Sequence, residues 1–252
     1  MISDFTSQFR GLKAAFTREV RAYFAAPIAY VFITVFLVAL GLFTWEGARF
    51  FDTGVVDLAP FFMWHPWLYM IFLPALAMRL WADERAAGTD EILLSLPVEL
   101  PGLVLGKLLA AWSVAGVALI FTLPMWITVN VLGSPDNVAI ALTYLMSFVM
   151  AGAYIAIGAA ASALTSRQVT AFVLAVVVAF LFTAAGWPLV LSGIAGFAGP
   201  GAADAVARFS FLTHFQAAQN GVLELRAVFF FASVILLFAS LNGLWAAGRR
   251  TP

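Results

Sequence analysis

The run VAIALTYLMSFVMAGAYIAIGAAASAL, Val138–Leu164, contains 27 residues and no charged side chain. A helix needs about 20 mostly apolar residues to cross a bilayer core of about 30 Å. Because lipid offers the backbone no hydrogen-bond partner, this run predicts a transmembrane helix rather than a strand. The whole chain of 252 residues shares this character, since 63% of its residues are hydrophobic and only 10% are charged. A soluble domain has about 25% charged residues, so we predict an integral membrane protein.

Five further apolar runs are long enough to span the membrane. The predicted fold is therefore all-α, a single polytopic transmembrane domain over 1–252. Its six predicted transmembrane helices are 28–45, 61–80, 108–132, 138–164, 169–191 and 227–247. Pro66, Pro74 and Pro124 predict kinks, because proline removes a backbone donor. The small residues of the fourth span allow close helix packing, either within the chain or at a dimer seam.

The positions of Lys and Arg predict the orientation, because these residues are enriched in cytoplasmic loops. With both termini in the cytoplasm, ten of the 13 lie on the cytoplasmic side and three on the outer side. The ten are Arg10, Lys13, Arg18, Arg21, Arg79, Arg85, Lys107, Arg167, Arg249 and Arg250, and the three are Arg49, Arg208 and Arg226. We therefore predict a multi-pass protein of the plasma membrane (the bacterial inner membrane) with cytoplasmic termini.

Residues 4–25 predict an amphipathic helix that lies in the membrane interface. Its apolar face is formed by Phe5, Phe9, Leu12, Phe16, Val20 and Tyr23, which recur every three or four residues. Basic residues lie largely off that face, as in helices that contact anionic headgroups. A signal peptide is disfavoured, because a full-length span follows Pro27 directly. Packing of this helix on another subunit remains an equal alternative.

The sequence offers little sign of catalysis or ion transport. The central parts of the spans are almost free of ionisable residues, which disfavours an ion pump. We interpret His65, which lies beside Trp64 and Trp67, as an interfacial residue. His214 has no second histidine or carboxylate at the spacing of metal ligands. GLVLGKL, residues 102–108, lacks the spacing and the Ser or Thr of a phosphate-binding loop. We predict no catalytic residue, metal ligand or cofactor in this chain.

The longest hydrophilic interruption of the first half is WADERAAGTDEILLSLPVELPGLVLGK, Trp81–Lys107. Thr89 can cap a short helix whose first turn holds Asp90 and Glu91, and Pro97 ends it. A helix of about two turns is not stable alone in water, so it must dock on something. Its own bundle or the headgroup layer is one alternative, and a groove on a cytoplasmic partner is the other.

Residues 192–225 are too long for a simple turn between the last two spans. Glycines and Pro200 are expected to break the helix at 193, 196 and 199–201, and a half-buried helix is expected to resume over 202–220. A re-entrant segment on the outer side fits this pattern better than a plain interfacial loop. The residues predicted to form an outer gate are Gly193, Gly196, Phe209, His214 and Phe215.

Three stretches resemble one family of transport proteins. DERAAGTDEILLSLPV, residues 83–98, resembles the coupling segment of type-2 ABC exporter permeases. REVRAYFAAPIAYVFI, residues 18–33, and FSFLTHFQAAQNGVLELR, residues 209–226, are similar to segments of the gliding-motility subgroup. The resemblance covers nearly the whole chain, in order.

That resemblance implies a transport subunit that pairs with a second permease and with two copies of a separate ATPase, which bind ATP and magnesium. It implies a cytoplasmic coupling segment over 81–107, short re-entrant helices outside, and a dimer seam on the first and fifth spans. An extracytoplasmic auxiliary protein would also fit. The residues predicted to dock the ATPase are Glu84, Arg85, Gly88, Thr89, Asp90, Glu91, Leu93, Leu94 and Pro97, of which Asp90 departs from the family pattern.

The preferred hypothesis is therefore the permease subunit of an ATP-driven exporter of apolar or amphiphilic cargo. The alternative is a membrane anchor or scaffold of a cell-surface machine that transports nothing. An intramembrane enzyme ranks last, because no polar residues converge at one depth of the spans.

Overall fold

The computed structural model describes residues 2–50, 57–90 and 99–248 of the chain. Within those residues the structure is helical and contains no strand. The first helices are α1 (Ile2–Ala25), α2 (Ile28–Leu42, extended by a π-helical turn Phe43–Gly47), α3 (Ala59–Phe62), α4 (His65–Ala77) and α5 (Arg79–Ala86). The others are α6 (Leu100–Ile120), α7 (Leu123–Leu132), α8 (Asn137–Leu164), α9 (Gln168–Ala184), α10 (Pro188–Ala198), α11 (Pro200–Ala207), α12 (Phe211–Gln219) and α13 (Leu225–Ala247).

Five helical stretches of the described chain are long and apolar enough to cross a membrane. They are Ile28–Gly47, Ala59–Ala86, Leu100–Leu132, Asn137–Leu164 and Leu225–Ala247. A sixth span results if α9 and α10, which meet at a bend of 70°, are taken together. The prediction of an all-α, multi-pass membrane protein is therefore confirmed.

Helix α8 lies at the centre of the bundle and packs against α4, α5, α6, α9, α12 and α13. Its glycines permit this close packing, because they remove the side chains that would collide. A Cβ atom at Gly158 would lie 2.7 Å from Cβ of Ala77, and one at Gly152 would lie 2.6 Å from the ring of Trp112. The small residues of the fourth span are thus buried within the chain itself.

Helix α9 packs on α8 and α4 through a stripe of small residues at four-residue spacing. Ala171, Ala175, Ala179 and Thr183 are buried, whereas Val173 and Val177 on the other face are exposed. Small residues at this spacing let two helix backbones approach closely in a membrane. One apolar face of α9 is therefore available to lipid or to another subunit.

Helix α6 begins at Leu100, eight residues before the predicted start of the third span at 108. Its first turns therefore include Lys107, which the sequence pattern assigned to the cytoplasmic loop. The kink predicted at Pro124 is present as a break at Phe121 and Thr122, between α6 and α7. The carbonyl of Ile120 cannot bond to residue 124, since proline has no N–H.

The region after the fifth span differs from the prediction. The helix expected over 169–191 ends at Ala184, because Trp187 precedes Pro188 and adopts an extended conformation. The expectation that Gly193 and Gly196 break the helix was wrong, since both lie inside α10. The break comes at Gly199, whose positive φ of 87° ends α10.

The helix expected over 202–220 is two helices, α11 and α12. They are separated at Arg208–Ser210, and the side chain of Ser210 caps α12 by accepting a hydrogen bond from the N–H of Thr213. We call the end of the bundle that carries 79–90 and 99–107 the proximal end. The end that carries α10, α11 and α12 is the distal end.

Candidate functional site at the base of the 81–107 segment

Three helices, α1, α5 and α6, meet at the proximal end. Helix α1 packs along α6, and Gly106 allows the close approach. A Cβ atom at Gly106 would lie 2.7 Å from Cβ of Ala15 and 2.8 Å from the carbonyl oxygen of Leu12. Whether α1 also lies in a membrane interface, as predicted, stays a prediction, but its packing partner is a helix of its own chain.

Lys107 is the centre of a buried ionic cluster between these helices. Only 1% of the residue is exposed. Its Nζ lies 2.8 Å from Oε1 of Glu19 in α1 and 2.9 Å from Oε1 of Glu84 in α5. It also donates a hydrogen bond of 2.6 Å to the carbonyl of Leu80, and lies 4.9 Å from the ring centroid of Trp81. A buried ammonium group needs such partners, because its desolvation is otherwise very costly.

Arg18 completes this cluster from the solvent side. Its Nη2 donates to Oε1 of Glu19 at 2.9 Å and to Oε1 of Glu84. The four residues Arg18, Glu19, Glu84 and Lys107 are called the Lys107 cluster, and their two positive and two negative charges balance. Burial raises the pKa of Glu19, but Lys107 and Arg18 outweigh burial and hold that pKa below its ordinary value. Glu19 is therefore ionised at neutral pH.

A second set of contacts holds α5 to the rest of the proximal end. Nε of Arg79 lies 3.4 Å from Oδ2 of Asp83, and the Arg79 guanidinium lies 5.5 Å from the ring centroid of Tyr23. The Tyr23 hydroxyl donates to the carbonyl of Leu76 at 2.8 Å. Gln168, at the start of α9, donates to Oδ1 of Asp83. Helices α1 and α9 thus both bind α5 through side chains.

The side chain of Ser162 in α8 forms hydrogen bonds with backbone groups at the start of α5. The first N–H groups of a helix have no partner within it. The N–H groups of Trp81 and Ala82 both donate to Oγ of Ser162 at 3.0 Å, and that hydroxyl donates to the carbonyl of Met78 at 2.6 Å. A side chain from another helix therefore caps α5 and fixes it to the central helix of the bundle.

Ion pairs and hydrogen bonds connect α5 to α1, α6 and α8 in the described chain. Glu84 in α5 and Lys107 in α6 form an ion pair directly with each other. Through Glu19 the same lysine is bonded to α1, and through Ser162 the start of α5 is bonded to α8. The position of α5 is therefore fixed by α1, α6 and α8 together.

The predicted docking residues fall into two groups. Glu91, Leu93, Leu94 and Pro97 lie outside the described residues. Of the others, Glu84 points into the Lys107 cluster, and the side chain of Arg85 is nearly buried with its Nε 3.8 Å from Oδ2 of Asp90.

Gly88 and Thr89 are exposed on the surface of this turn. The backbone of Gly88 has a positive φ of 67°. The Thr89 hydroxyl donates to the carbonyl of Glu84, near the end of α5. The docking role of these residues stays a prediction.

Three residues of the cluster, Arg18, Glu19 and Lys107, were not identified as functional from the sequence. Glu19 lies seven residues after Leu12 and four before Tyr23, so this carboxylate sits on the predicted apolar face of α1. An acidic residue on an apolar face requires a cation nearby, and this is the signal that could have identified it. Lys107 precedes an uncharged run of the third span, but nothing in the sequence pairs it with Glu19.

The residues predicted to form an outer gate do not converge on one point. Gly193 and Gly196 lie on open faces of α10, since a Cβ atom at either position would have no neighbour within 4 Å. Phe209 is 64% exposed. His214 and Phe215 instead point inward from α12, where the His214 ring stacks on Phe230 at 4.2 Å and Phe215 contacts Phe62. The gate itself stays a prediction.

His65 and Asn242 are buried polar residues of the spans. His65 is surrounded by aromatic rings, of which Phe61 at 4.8 Å is nearest, and its Nδ1 lies 3.3 Å from the carbonyl of Phe61. Neither amide atom of Asn242 has a hydrogen-bond partner in the described part of the protein. The described residues include no group of three or more His, Asp or Glu that could hold a metal ion.

These features define a class: a multi-pass helical membrane protein with an ionic cluster at the base of the segment between its second and third spans. The family model described as ABC-2 family transporter protein matches residues 68–244, from α4 into α13. The chain therefore belongs to the ABC-2 transporter family, as the permease subunit of an ABC transporter. No curated protein matches the chain. The family resemblance of the sequence is thus confirmed, while the gliding-motility subgroup stays a prediction.

Proposed function

We propose that this permease exports apolar or amphiphilic cargo and is powered by separate ATPase subunits that bind the 81–107 segment. The single observation that carries the proposal is the Lys107 cluster. A segment that only filled a gap between two spans would need no ion pairs to three helices. A segment that receives force from a partner needs a stiff connection to the bundle, and buried charged hydrogen bonds supply one.

The proposed cycle has three steps. ATP binding draws together the two ATPase subunits and, with them, the segments of two permease copies. The pair Glu84–Lys107 moves each segment as one body, and Glu19 and Ser162 carry the movement to α1 and α8. The two bundles then rock relative to each other and open the path on the distal side. Family membership favours this transport role over the alternative of a membrane scaffold.

The lack of charge on two spans supports the proposed class of cargo. Within the described residues, α8 and α9 contain no Asp, Glu, Lys or Arg at all. Such walls offer no charge to hold an ion, so an apolar or amphiphilic molecule fits them better. The excess of Lys and Arg at the proximal end supports a cytoplasmic location for that end and for both termini. Export is then movement from the proximal towards the distal end.

The proposed dimer uses the first and fifth spans. Exposed apolar residues of α2, among them Val31, Val35 and Val38, form one continuous face. The exposed face of α9 has the same character. Either face can contact a second permease, of the same or of a different sequence.

The experiment that tests the proposal is the double substitution Glu91→Lys and Leu93→Asp. The permease and its ATPase are purified together in nanodiscs, and the rate of ATP hydrolysis per complex is measured. We expect the variant to insert normally but to lose its ATPase subunits and the stimulated hydrolysis. The control, Asp204→Lys with Leu223→Asp, makes the same chemical changes at exposed distal positions and should keep the activity. Unchanged hydrolysis in the first variant would refute docking at this segment.

A further inference from the structure

A small cavity at the distal end lies between the start of α4, the bend that joins α9 to α10, and α12. Its volume is about 190 Å³. Pockets for whole drug-sized ligands have about 300–1,000 Å³, so this cavity has room for one ring-sized group. Pro66 and Phe215, both buried, are among the residues that line it. Its walls carry two indole rings and two amides, from Trp67, Trp187, Gln216 and Gln219.

Two contacts position the backbone and the indole rings of the cavity. Gly186 packs tightly against α12, since a Cβ atom there would lie 2.8 Å from Cβ of Ser210, the residue that caps this helix. The residue after Gly186 is Trp187, and its ring meets the ring of Trp67 edge to face at a centroid distance of 5.6 Å and an angle of 77°. Two nearly perpendicular indoles therefore form a corner, and α12 closes it. A preformed site of this kind binds with a smaller entropic cost.

The chemistry of the walls selects against charged ligands. None of the described residues that line the cavity is Asp, Glu, Lys or Arg. A phosphate, carboxylate or ammonium group would therefore lose its hydration without gaining an opposite charge. The amides of Gln216 and Gln219 offer both donors and acceptors, as a hydroxyl group does. Each indole offers a flat apolar face and one N–H donor.

We propose that this cavity binds an uncharged polyhydroxylated ring, that is, a sugar group. One face of a pyranose ring presents C–H groups that stack on an indole, while the hydroxyls at its edge exchange hydrogen bonds with the glutamine amides. The headgroup of a glycolipid and the sugar of a soluble glycan share this chemistry. The proposal rests on the distal cavity alone and does not depend on how the proximal end is coupled to ATP.

The test uses the full chain in nanodiscs of phosphatidylethanolamine and phosphatidylglycerol, with empty nanodiscs as the blank. Isothermal titration calorimetry measures the binding of three probes. Octyl β-glucoside has both chain and sugar, octyl phosphocholine has the chain without sugar, and methyl β-glucoside has the sugar without chain. We expect saturable binding of octyl glucoside and none of octyl phosphocholine. Competition by methyl glucoside would identify the sugar alone as sufficient, and its failure to compete would identify a lipid-borne sugar as the ligand.

The matched variants are Gln216→Ala with Gln219→Ala, and Asn220→Ala. Asn220 is an exposed amide at the end of the same helix that does not line the cavity. Loss of the two glutamines should weaken octyl glucoside binding about tenfold or more, since two hydrogen bonds are removed, and Asn220→Ala should leave it unchanged. Trp187→Phe, which keeps a ring but loses the N–H and part of the face, should weaken it less. Equal affinity for both octyl probes would overturn the proposal. So would an octyl glucoside affinity that is unchanged in the variant Gln216→Ala with Gln219→Ala.

Discussion

Nζ of Lys107 lies 2.9 Å from Oε1 of Glu84, so an ion pair joins the last turn of α5 to the first turns of α6. Buried ion pairs often add little net stability, because desolvation offsets their attraction. Their best-attested value is that they fix one arrangement of the chain against others. In this permease the fixed arrangement is that of α1, α5 and α6 at the proximal end.

The first prediction concerns Lys107→Met, which keeps the length of the side chain and removes its charge. Two carboxylates, Glu19 and Glu84, then remain nearly buried with Arg18 as their only cation in the cluster. Breaking a buried pair in this way costs about 3–5 kcal/mol of the free energy of unfolding. The measurement is unfolding by SDS in mixed micelles.

Two controls test whether the loss of stability comes from the broken ion pairs. Lys13→Met changes an exposed lysine and should leave the free energy of unfolding within about 0.5 kcal/mol of the original. Adding Glu19→Gln and Glu84→Gln to Lys107→Met removes the uncompensated charges and should restore part of the loss. If Lys107→Met alone were as stable as the original protein, the ionic cluster would have no structural role.

The second prediction concerns pH. Because the folded-state pKa of Glu19 lies below the ordinary value of 4.5, this carboxylate stabilises the folded state fully above pH 4.5. That contribution is lost as the pH falls through the lower folded-state pKa. Glu19→Gln should therefore lower the thermal unfolding midpoint at pH 7, and the difference from the original protein should shrink below pH 4.5.

Glu224→Gln is the matched control for this pH series, since Glu224 is an exposed acid at the distal end. Its unfolding midpoint should follow that of the original protein at every pH. A difference for Glu19→Gln that stayed constant from about pH 7 to about pH 3.5 would contradict the assigned charge interaction.

The third prediction concerns Ser162→Ala. This change leaves two N–H groups of α5 and the carbonyl of Met78 buried without their partner, at a cost of roughly 2–4 kcal/mol. Hydrogen–deuterium exchange read by mass spectrometry should show faster exchange at Trp81 and Ala82. Ser240→Ala, at an exposed position of α13, should not change it. Unaltered exchange in the first variant would mean that α5 is held by other contacts.

The fourth prediction compares two glycines in helices. Gly152→Ala places a methyl group 2.6 Å from the Trp112 ring, which cannot move freely because its Nε1 donates to the carbonyl of Phe148 at 2.8 Å. Such overpacking costs about 1–3 kcal/mol. Gly193→Ala meets no atom within 4 Å and should be neutral or slightly stabilising. Equal unfolding midpoints of the two variants would contradict the packing of α8 on α6.

The spans could be predicted because the bilayer imposes one strong requirement, about 20 apolar residues in a row. The break at Pro124 could also be predicted, since its cause is local. The end of α9 was missed because Pro188, rather than the following glycines, terminates the helix by forcing Trp187 into an extended conformation. Gly193 and Gly196 are tolerated inside α10, where glycine costs only about 1 kcal/mol each.

The candidate site could be predicted only in outline. The acidic and basic residues of the 81–107 segment indicated the part of the chain where Glu84 and Lys107 form their ion pair. The pairing of Lys107 with Glu19 joins residues 88 positions apart, and one sequence gives no means of choosing this partner among 13 acidic residues. The hydrogen bonds from the start of α5 to Ser162 could not be predicted for the same reason. They are tertiary contacts between residues far apart in the sequence, and no local sequence pattern indicates them.

The measurement that tests the central claim most directly is isolation of this chain from its native membrane in mild detergent, followed by mass spectrometry of the bound proteins. The account predicts a stoichiometric ATPase with nucleotide-binding motifs that is recovered with the original chain and lost with Glu91→Lys and Leu93→Asp. Recovery of the chain without any ATPase, under conditions that keep other ABC complexes intact, would contradict it.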